Sequence, residues 1–523
     1  MVNTLEGDLP PLSARVRRGA LWSVLNTLIL RFSNLLIIAV VAHIVAPRDF
    51  GVYAVAVTAY SIIFALGTLG AASCLVRADL NIDSLAPTMV TGSLVICALL
   101  AGAMATFAPH IAAALGSVDG TGPIRVMALA MFLEGVMAVP WAQLTRDFRQ
   151  DKIFLANGIA FVPSTAVLLV LAKLGAGAMA FAWSKVVNQL VMDCVLFISV
   201  SKIYRPGVAR SAFSTLVKFG LPLAAGSFVS YILLNSDNVF IGHLIGPVGL
   251  GIYVLAFNVA CWLGVLVAGT TRSVSMPAFS RVKHDPDRLK NAIARALRSI
   301  SVIVMPACGF MIALARPLVL TLYGAKWAAS AEVLSILSIY ALISVFCTLI
   351  DTILVSLGKA TRNLAIRLVW LCSLIPAMAL GVHIAGIVGA AVVHIIVITG
   401  LILPTYMFVL KRATGVHFAR LGKVILPSLL AASTAALAAR GVASQFAIPP
   451  VQLTTGAAAG GLVYVIMAAP ECVAFLSQDQ TAKLRALRLF RLYNTVVHMV
   501  PLVRGSPMRR RKGGRHRKDM DPA

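Results

Sequence analysis

The chain has 523 residues, of which 59% are hydrophobic and only 12% charged, with a formal net charge of +26 and a mean hydropathy of +0.91. A soluble chain of this length carries about twice that charged share, and the lack of alternating segments of roughly ten residues argues against an outer-membrane barrel. Eight cysteines are scattered through apolar stretches without CxxC pairing, which speaks for small packing residues rather than a disulfide framework or a zinc site.

Residues 1–18 are polar and end in Arg15, Arg17 and Arg18. The apolar run that follows reaches about Ala46, too long for the core of a cleavable signal, and reads as a retained first span. Apolar runs long enough to cross about 30 Å of hydrocarbon then recur along the chain. The expected spans are 20–45, 51–75, 88–108, 124–144, 153–172, 175–199, 215–242, 249–273, 297–320, 331–357, 364–382, 385–409, 422–440 and 452–474. The fold class is therefore an all-α polytopic membrane protein of about fourteen transmembrane helices.

Lysines and arginines alternate in step with these spans. One set of loops holds about 36 of them and the opposite set about 6. That places both termini in the cytoplasm and makes the number of spans even.

A short repeat supports this topology. HIVAPRDFGVY at 43–53 and HLIGPVGLGIY at 243–253 share His43, Pro47, Gly51 and Tyr53 with His243, Pro247, Gly251 and Tyr253, at a constant offset of 200. Six expected spans separate the copies, so both have the same orientation. The pattern predicts two six-helix lobes related by a pseudo-two-fold along the membrane normal, with a cavity between them. The expected organisation is a tail over 1–19, lobes over 20–210 and 211–412, two further helices within 413–475, and a basic cytoplasmic tail over 476–523. That tail, with AKLRALRLFRLY and RRRKGGRHRK, suits acidic headgroups of the inner leaflet better than nucleic acid.

An ionisable group within a span usually faces a cavity or a partner. Arg31, Glu134, Lys185, Asp193, Asp237, Arg272 and Asp351 are such groups. Arg31, Lys185 and Arg272 are candidate cavity cations for an anionic substrate group; buried ion pairing for Arg31 and Lys185, and snorkelling for Arg272, are the competing readings. Asn235 and Asp237 belong to the polar patch Asn-Ser-Asp-Asn in the seventh span. That patch either lines a sugar path or knots helices together. Asp237, Glu134 and Asp351 are candidate sites for ion coupling. Asp193 reads as structural, Arg146 and Arg149 as a cytoplasmic entrance or plain topology-setting charge, and His394 as a solitary core residue. His43 and His243 read as helix-end caps or headgroup contacts at the outer interface, rather than metal ligands. No phosphate-binding glycine loop and no nucleophile–base constellation stands out, so neither direct ATP use nor an enzyme is expected.

Several segments resemble one family. APRDFGVYAVA, VPWAQLTRDFR, KLGAGAMAFAWSKV, FGLPLAAGSFVSYILLNSDNVFIGHLIGPVGLGIYVLAF, MPAFSR and LYGAKWAASAEVLSILS are similar to the polysaccharide-flippase branch of the multidrug/oligosaccharidyl-lipid/polysaccharide exporter superfamily, nearest its Wzx/WzxC-like group. The resemblance runs from about residue 15 to about 410. The family pattern usually has Arg where His243 stands, and Pro near Trp262. The resemblance implies two six-helix bundles plus two helices, and location in the bacterial cytoplasmic (inner) membrane. It further implies translocation of an undecaprenyl-pyrophosphate-linked oligosaccharide for O-antigen, capsule or exopolysaccharide biosynthesis; alternating access is the expected mechanism, and no cofactor is expected. A proton or sodium gradient is the expected drive. Membrane lipids and other polysaccharide assembly proteins are the expected partners, and nucleic acid is not. A cation-coupled multidrug antiporter of the same fold and a membrane sugar polymerase or ligase are the alternatives. Balanced signs within the spans disfavour the first, and short external loops disfavour the second.

Overall fold

The computed structural model describes residues 29, 32–67, 82–147, 149–200, 202–270, 279 and 285–475. Arg31, Arg272 and the 476–523 tail, each assigned a role from sequence, lie outside the described residues.

Eleven helices among the described residues are long and apolar enough to cross a membrane, and two shorter apolar ones, Phe32–Ile44 and Pro247–Trp262, accompany them. In chain order the helices are α1 Phe32–Ile44, α2 Pro47–Gly67, α3 Ile82–Thr106, α4 Ala108–Ala114, α5 Thr121–Arg146, α6 Gln150–Lys173, α7 Ala178–Ser199, α8 Arg210–Ile245, α9 Pro247–Thr270, α10 Pro286–Ala313, α11 Ala315–Leu322, α12 Ser330–Ser356, α13 Ala360–Val397, α14 Leu403–Thr414, α15 Phe418–Ala443 and α16 Pro449–Phe475. The described residues up to Tyr464 form one compact unit, and the end of α16 from Val465 belongs to a second.

Local chemistry fixes several ends. Asp285 caps α10, its carboxylate accepting the N–H groups of Asp287 and Arg288, with Pro286 in the first turn. This cap starts α10 eleven residues before the expected span, because its first turns are amphipathic: Leu289, Ile293 and Leu297 are buried while Arg288 is exposed. The long α13 is sharply bent, since Ala385 and Gly386 leave helical geometry (Gly386 φ 57°, ψ −137°). Its two arms then pack closely: a Cβ on Gly389 would stand 1.9 Å from the Gly381 carbonyl oxygen. The bend falls on the first two residues of the expected span 385–409, just after the expected span 364–382.

The internal repeat lies where the two lobes meet. Helix α2 crosses α9 so closely that a Cβ on Gly51 would lie 1.7 Å from the Pro247 oxygen, and one on Gly251 would lie 2.0 Å from the Pro47 oxygen. Reciprocal contacts of this kind are the signature of two-fold symmetry, and small residues permit the approach. The same relation recurs nearby. In each lobe a short helix, α4 or α11, is followed by a left-handed glycine (Gly116 φ +82°, Gly324 φ +88°) and a 3₁₀ turn. The first loop presses Gly116 onto Gly242, and Ala114 offers its carbonyl to His243 Nδ1 at 3.0 Å. The second brings Lys326 Nζ to the His43 carbonyl at 2.8 Å and Trp327 Nε1 to the Ala42 carbonyl at 2.9 Å. These bonds satisfy carbonyls that a helix C-terminus leaves free, and each lobe thereby seals the end of the other lobe's leading helix. His243 behaves as the expected cap; His43 bonds back to Ala39 within its own helix.

The segment joining the lobes is strapped onto α3. Gly207 N–H reaches Thr91 Oγ1 and Ala209 N–H reaches Thr88 Oγ1, both at 2.9 Å. Lys202 and Tyr204 both donate to Asp83, and hold its carboxyl below the usual carboxylate range. A depressed carboxylate of this kind stabilises the strap at neutral pH, and that contribution fades as pH falls through its folded-state value. Partial burial, then Asp83, push the Tyr204 phenol up to about 12.

Beyond the lobes, α15 packs on α10, and α16 packs through Gly456 and Gly460 on Ala439, Ala435, Phe310 and Leu314. The spacing is the small-xxx-small pattern of helix pairs in membranes.

Candidate functional site

A cavity of about 610 Å³ lies between the lobes, below the sealed end. Its wall follows helical periodicity. Helix α6 contributes Asn157, Phe161, Ser164 and Leu168, and α7 contributes Phe181, Ser184, Lys185 and Asn188, each set on one face of its helix. Asn34 comes from α1, Tyr53 and Val57 from α2, Asn235 and Asn238 from α8, and Phe257, Asn258 and Trp262 from α9.

The polar part of the wall is mostly neutral amide and hydroxyl. Asn157 and Asn235 each donate to the carbonyl four residues back, at 2.9 and 2.8 Å. Asn188 donates to Ser164 Oγ at 3.3 Å, and Ser184 to the Ser164 carbonyl at 2.8 Å. Asn238 reaches across the lobes to Thr58 Oγ1 at 3.1 Å. The aromatic wall, Phe181, Tyr53, Phe257 and Trp262 with their neighbours, supplies flat apolar faces; Tyr53 and Phe181 stack at 4.8 Å.

Lys185 is the charged side chain on this wall among the described residues, and it is already paired: Nζ stands 3.1 Å from Glu134 Oε1 and 5.4 Å from the Tyr60 ring centroid. Lys185 thus lines the cavity and is ion-paired as well. Glu134 sits behind it, on α5.

Asn235 lines the cavity as expected, but Asp237 does not. It turns into the second lobe, 3.6 Å from His394 Nε2. His394 is therefore not the solitary core residue that its apolar helix suggests. Its helix is apolar in sequence, but the bend at Gly386 turns it toward α8, and a partner from another helix cannot be read from one helix's pattern. Both His394 ring nitrogens are buried without a hydrogen bond, an arrangement that costs about 1–3 kcal/mol per group.

The remaining candidates are separate. Asp351 is held by Arg367, whose Nη2 lies 3.2 and 3.4 Å from its oxygens while Nη1 bonds Ser230 at 3.0 Å. Arg367 is half-buried on α13. Asp193 accepts from Gln189 at 2.8 Å. Arg146 is half-buried at the end of α5, and Arg149 is exposed beside Asp151 at 3.6 Å; neither lines the cavity. Asn34, Asn157, Asn188, Asn258, Ser164 and Ser184 are wall residues that sequence reasoning missed.

Asp351→Asn is expected to lower stability by about 2 kcal/mol, because it leaves the Arg367 guanidinium half-buried without its counter-charge. Asp351→Asn with Arg367→Gln should regain most of the loss. Thermal unfolding in detergent reads both, and equal melting of wild type and the single variant would refute the pairing's importance.

This architecture is a two-lobe bundle of membrane-spanning helices. It superposes on the lipid II flippase MurJ in its inward closed conformation with a TM-score of 0.69, covering 87% of this chain and 97% of that one at 14% identity. It also superposes on an inward-facing multidrug resistance MATE family transporter of the MOP superfamily (TM-score 0.59, 16% identity, 74% and 99% covered). Residues 40–332 match the family described as polysaccharide biosynthesis protein, and the chain belongs to that family. Among its relatives are the succinoglycan biosynthesis transport protein ExoT of Rhizobium meliloti strain 1021, 26% identical over 88% of this chain and 94% of the relative, and the lipopolysaccharide biosynthesis protein WzxC of Escherichia coli K12, 24% identical over 76% and 81%.

Proposed function

We propose that this protein is a flippase that carries an undecaprenyl-pyrophosphate-linked oligosaccharide from the inner to the outer leaflet of the bacterial cytoplasmic membrane, for polysaccharide biosynthesis. The observation that carries this reading is the inter-lobe cavity, walled by six asparagines, serines and aromatic rings. Amide groups both donate and accept, which suits vicinal sugar hydroxyls, and aromatic faces suit the apolar faces of pyranose rings. A volume of about 610 Å³ admits part of a glycan head, with the prenyl chain left in lipid.

The sealed end faces outward by the positive-inside rule. Alternating access then requires the α4 and α11 loops to release His243, His43 and Ala42 as the lobes rock. A proton or sodium gradient supplies the drive, membrane lipids surround the chain, and other assembly proteins receive the product outside. An organic-cation antiporter is the weaker reading, because the one carboxylate next to the cavity among the described groups is masked by Lys185.

The test is deletion of the gene followed by analysis of lipid-linked oligosaccharide and surface polysaccharide. The expected result is oligosaccharide trapped on the cytoplasmic leaflet and rescue by the wild-type gene. Asn188→Ala with Asn235→Ala should rescue at about a tenth of the wild-type rate, from two lost hydrogen bonds of about 0.5–1.5 kcal/mol each. A deletion strain with normal surface polysaccharide and no trapped intermediate would refute the proposal.

A further inference from the structure

A row of arginines runs along the first turns of α10, on the face opposite its buried one. Arg288, Asn291, Arg295 and Arg298 follow one another at intervals of three, four and three residues, so one line of the helix carries them all. Leu289, Ile293 and Leu297, on the other side, are buried. Ala294 sits within the row, and these polar residues and Ala294 together border an open recess of about 440 Å³. The positive-inside rule asks only for cations in a loop. It does not ask for arginines aligned on one face.

The carboxylates nearby leave part of the row unmatched. Asp285 holds Arg288 at 3.0 Å, and Asp287 holds Lys290, which lies off the row, at 3.2 Å. Among the described residues, neither Arg295 nor Arg298 has a carboxylate within ion-pair distance, and Arg298 is half-buried. A half-buried guanidinium without a counter-charge is unfavourable until an anion reaches it.

Depth selects the anion. Residues 299–315 carry no charge, and Ile303 is 64% exposed, as a lipid-facing residue is. Arg298 is therefore the first charge beyond the hydrocarbon at this end, and Arg295 follows about 4.5 Å further along the axis. A headgroup layer is about 5–8 Å deep, so both arginines fall within it. Arg288, about 15 Å from Arg298 along the helix, lies outside it. On the topology proposed above, this is the cytoplasmic leaflet.

We propose that Arg295 and Arg298 form a binding site for the phosphate of an anionic phospholipid of the inner leaflet. Guanidinium groups take phosphate oxygens two at a time, which an ammonium does not. Asn291 borders the same recess, and an amide suits the polar part of a headgroup. One turn further into the membrane, the Val302 carbonyl accepts from Tyr464 of α16 at 2.7 Å. A lipid held at the arginines thus lies beside α16, with its chains running along Ile303. An acidic segment of a soluble partner would favour Arg288, the outermost of the row, instead. The site is separate from the inter-lobe cavity, whose described wall contains no residue of α10.

Native mass spectrometry of the full-length protein in detergent, titrated with phosphatidylglycerol or with phosphatidylcholine of the same chains, tests this. In the wild type the first phosphatidylglycerol is expected to bind about tenfold more tightly than the first phosphatidylcholine. Arg295→Gln with Arg298→Gln should reduce that preference to about twofold. Arg295→Lys with Arg298→Lys, which keeps the charge but not the paired contacts, should fall between. Lys359→Gln with Arg362→Gln removes two exposed cations at the start of α13 and should retain the wild-type preference. Thermal unfolding checks that all four proteins are folded. A preference that is missing from the wild type, that survives Arg295→Gln with Arg298→Gln, or that falls equally in the α13 control overturns the inference. Export lost in the arginine variant with lipid preference unchanged would assign the row to another anionic partner, and overturns it too. The titration needs no substrate, so normal export after gene deletion would refute the flippase reading and leave the lipid site standing.

Discussion

Gly51→Ala and Gly251→Ala are each expected to abolish rescue of polysaccharide export, and to destabilise the protein by about 3 kcal/mol or more. The added methyl of the first would stand 1.7 Å from the Pro247 oxygen and that of the second 2.0 Å from the Pro47 oxygen. Neither obstacle can rotate away, because both are backbone carbonyls in the first turns of α9 and α2. The helices would have to separate, which would also disturb Tyr253 and Phe50 beside the crossing. Because the two glycines are related by the pseudo-two-fold, the two variants should lose similar amounts. The double variant should lose less than the sum, since one separation relieves both clashes. Gly92→Ala is the control, because a methyl there meets nothing within 4 Å. Thermal unfolding in detergent together with export in a deletion strain reads all four proteins. Wild-type stability and export in Gly51→Ala would show that the lobes do not meet as described.

This crossing is also the part of the fold that sequence exposed best. Pro47, Gly51, Pro247 and Gly251 are identical in the two copies because backbone meets backbone there, and no other side chain fits. The matching backbone at Gly177 and Gly386, both with positive φ and strongly negative ψ, was invisible for the opposite reason, since little but an alanine–glycine pair is shared in the sequence around them. The cavity wall was half legible. Lys185 and Asn235 stand out as polar groups in apolar helices. Asn34, Asn157, Asn188 and Asn258 come one per helix, and a single asparagine in a span can equally satisfy its own helix, as Asn157 partly does at Ile153. Helical phase shows which face such a residue occupies, but only the packing of helices decides whether that face meets a cavity. The same limit applies to Asp237, whose neighbours Asn235 and Asn238 face the cavity while it turns away.

Lys185→Ala is expected to cut export at least about tenfold and to lower stability by about 2–3 kcal/mol, since Glu134 would remain largely buried without its counter-ion. The two losses have different origins, and a charge swap separates them. Lys185→Glu with Glu134→Lys restores the ion pair and should regain most of the stability. It moves the cation from the cavity face of α7 to α5 behind it, so export should stay low. Glu134→Gln makes the complementary point. It frees Lys185 from its masking carboxylate, so an anionic head group should be held more tightly and released more slowly, with export reduced although the fold survives. The reasoning is that a permanently unmasked cation would trap a pyrophosphate, whereas a masked one can exchange carboxylate for phosphate and back as the lobes rock. Full export by the swapped pair would show that positive charge on the cavity wall at Lys185 is dispensable, and would leave the amides and aromatic rings as the whole of the recognition surface.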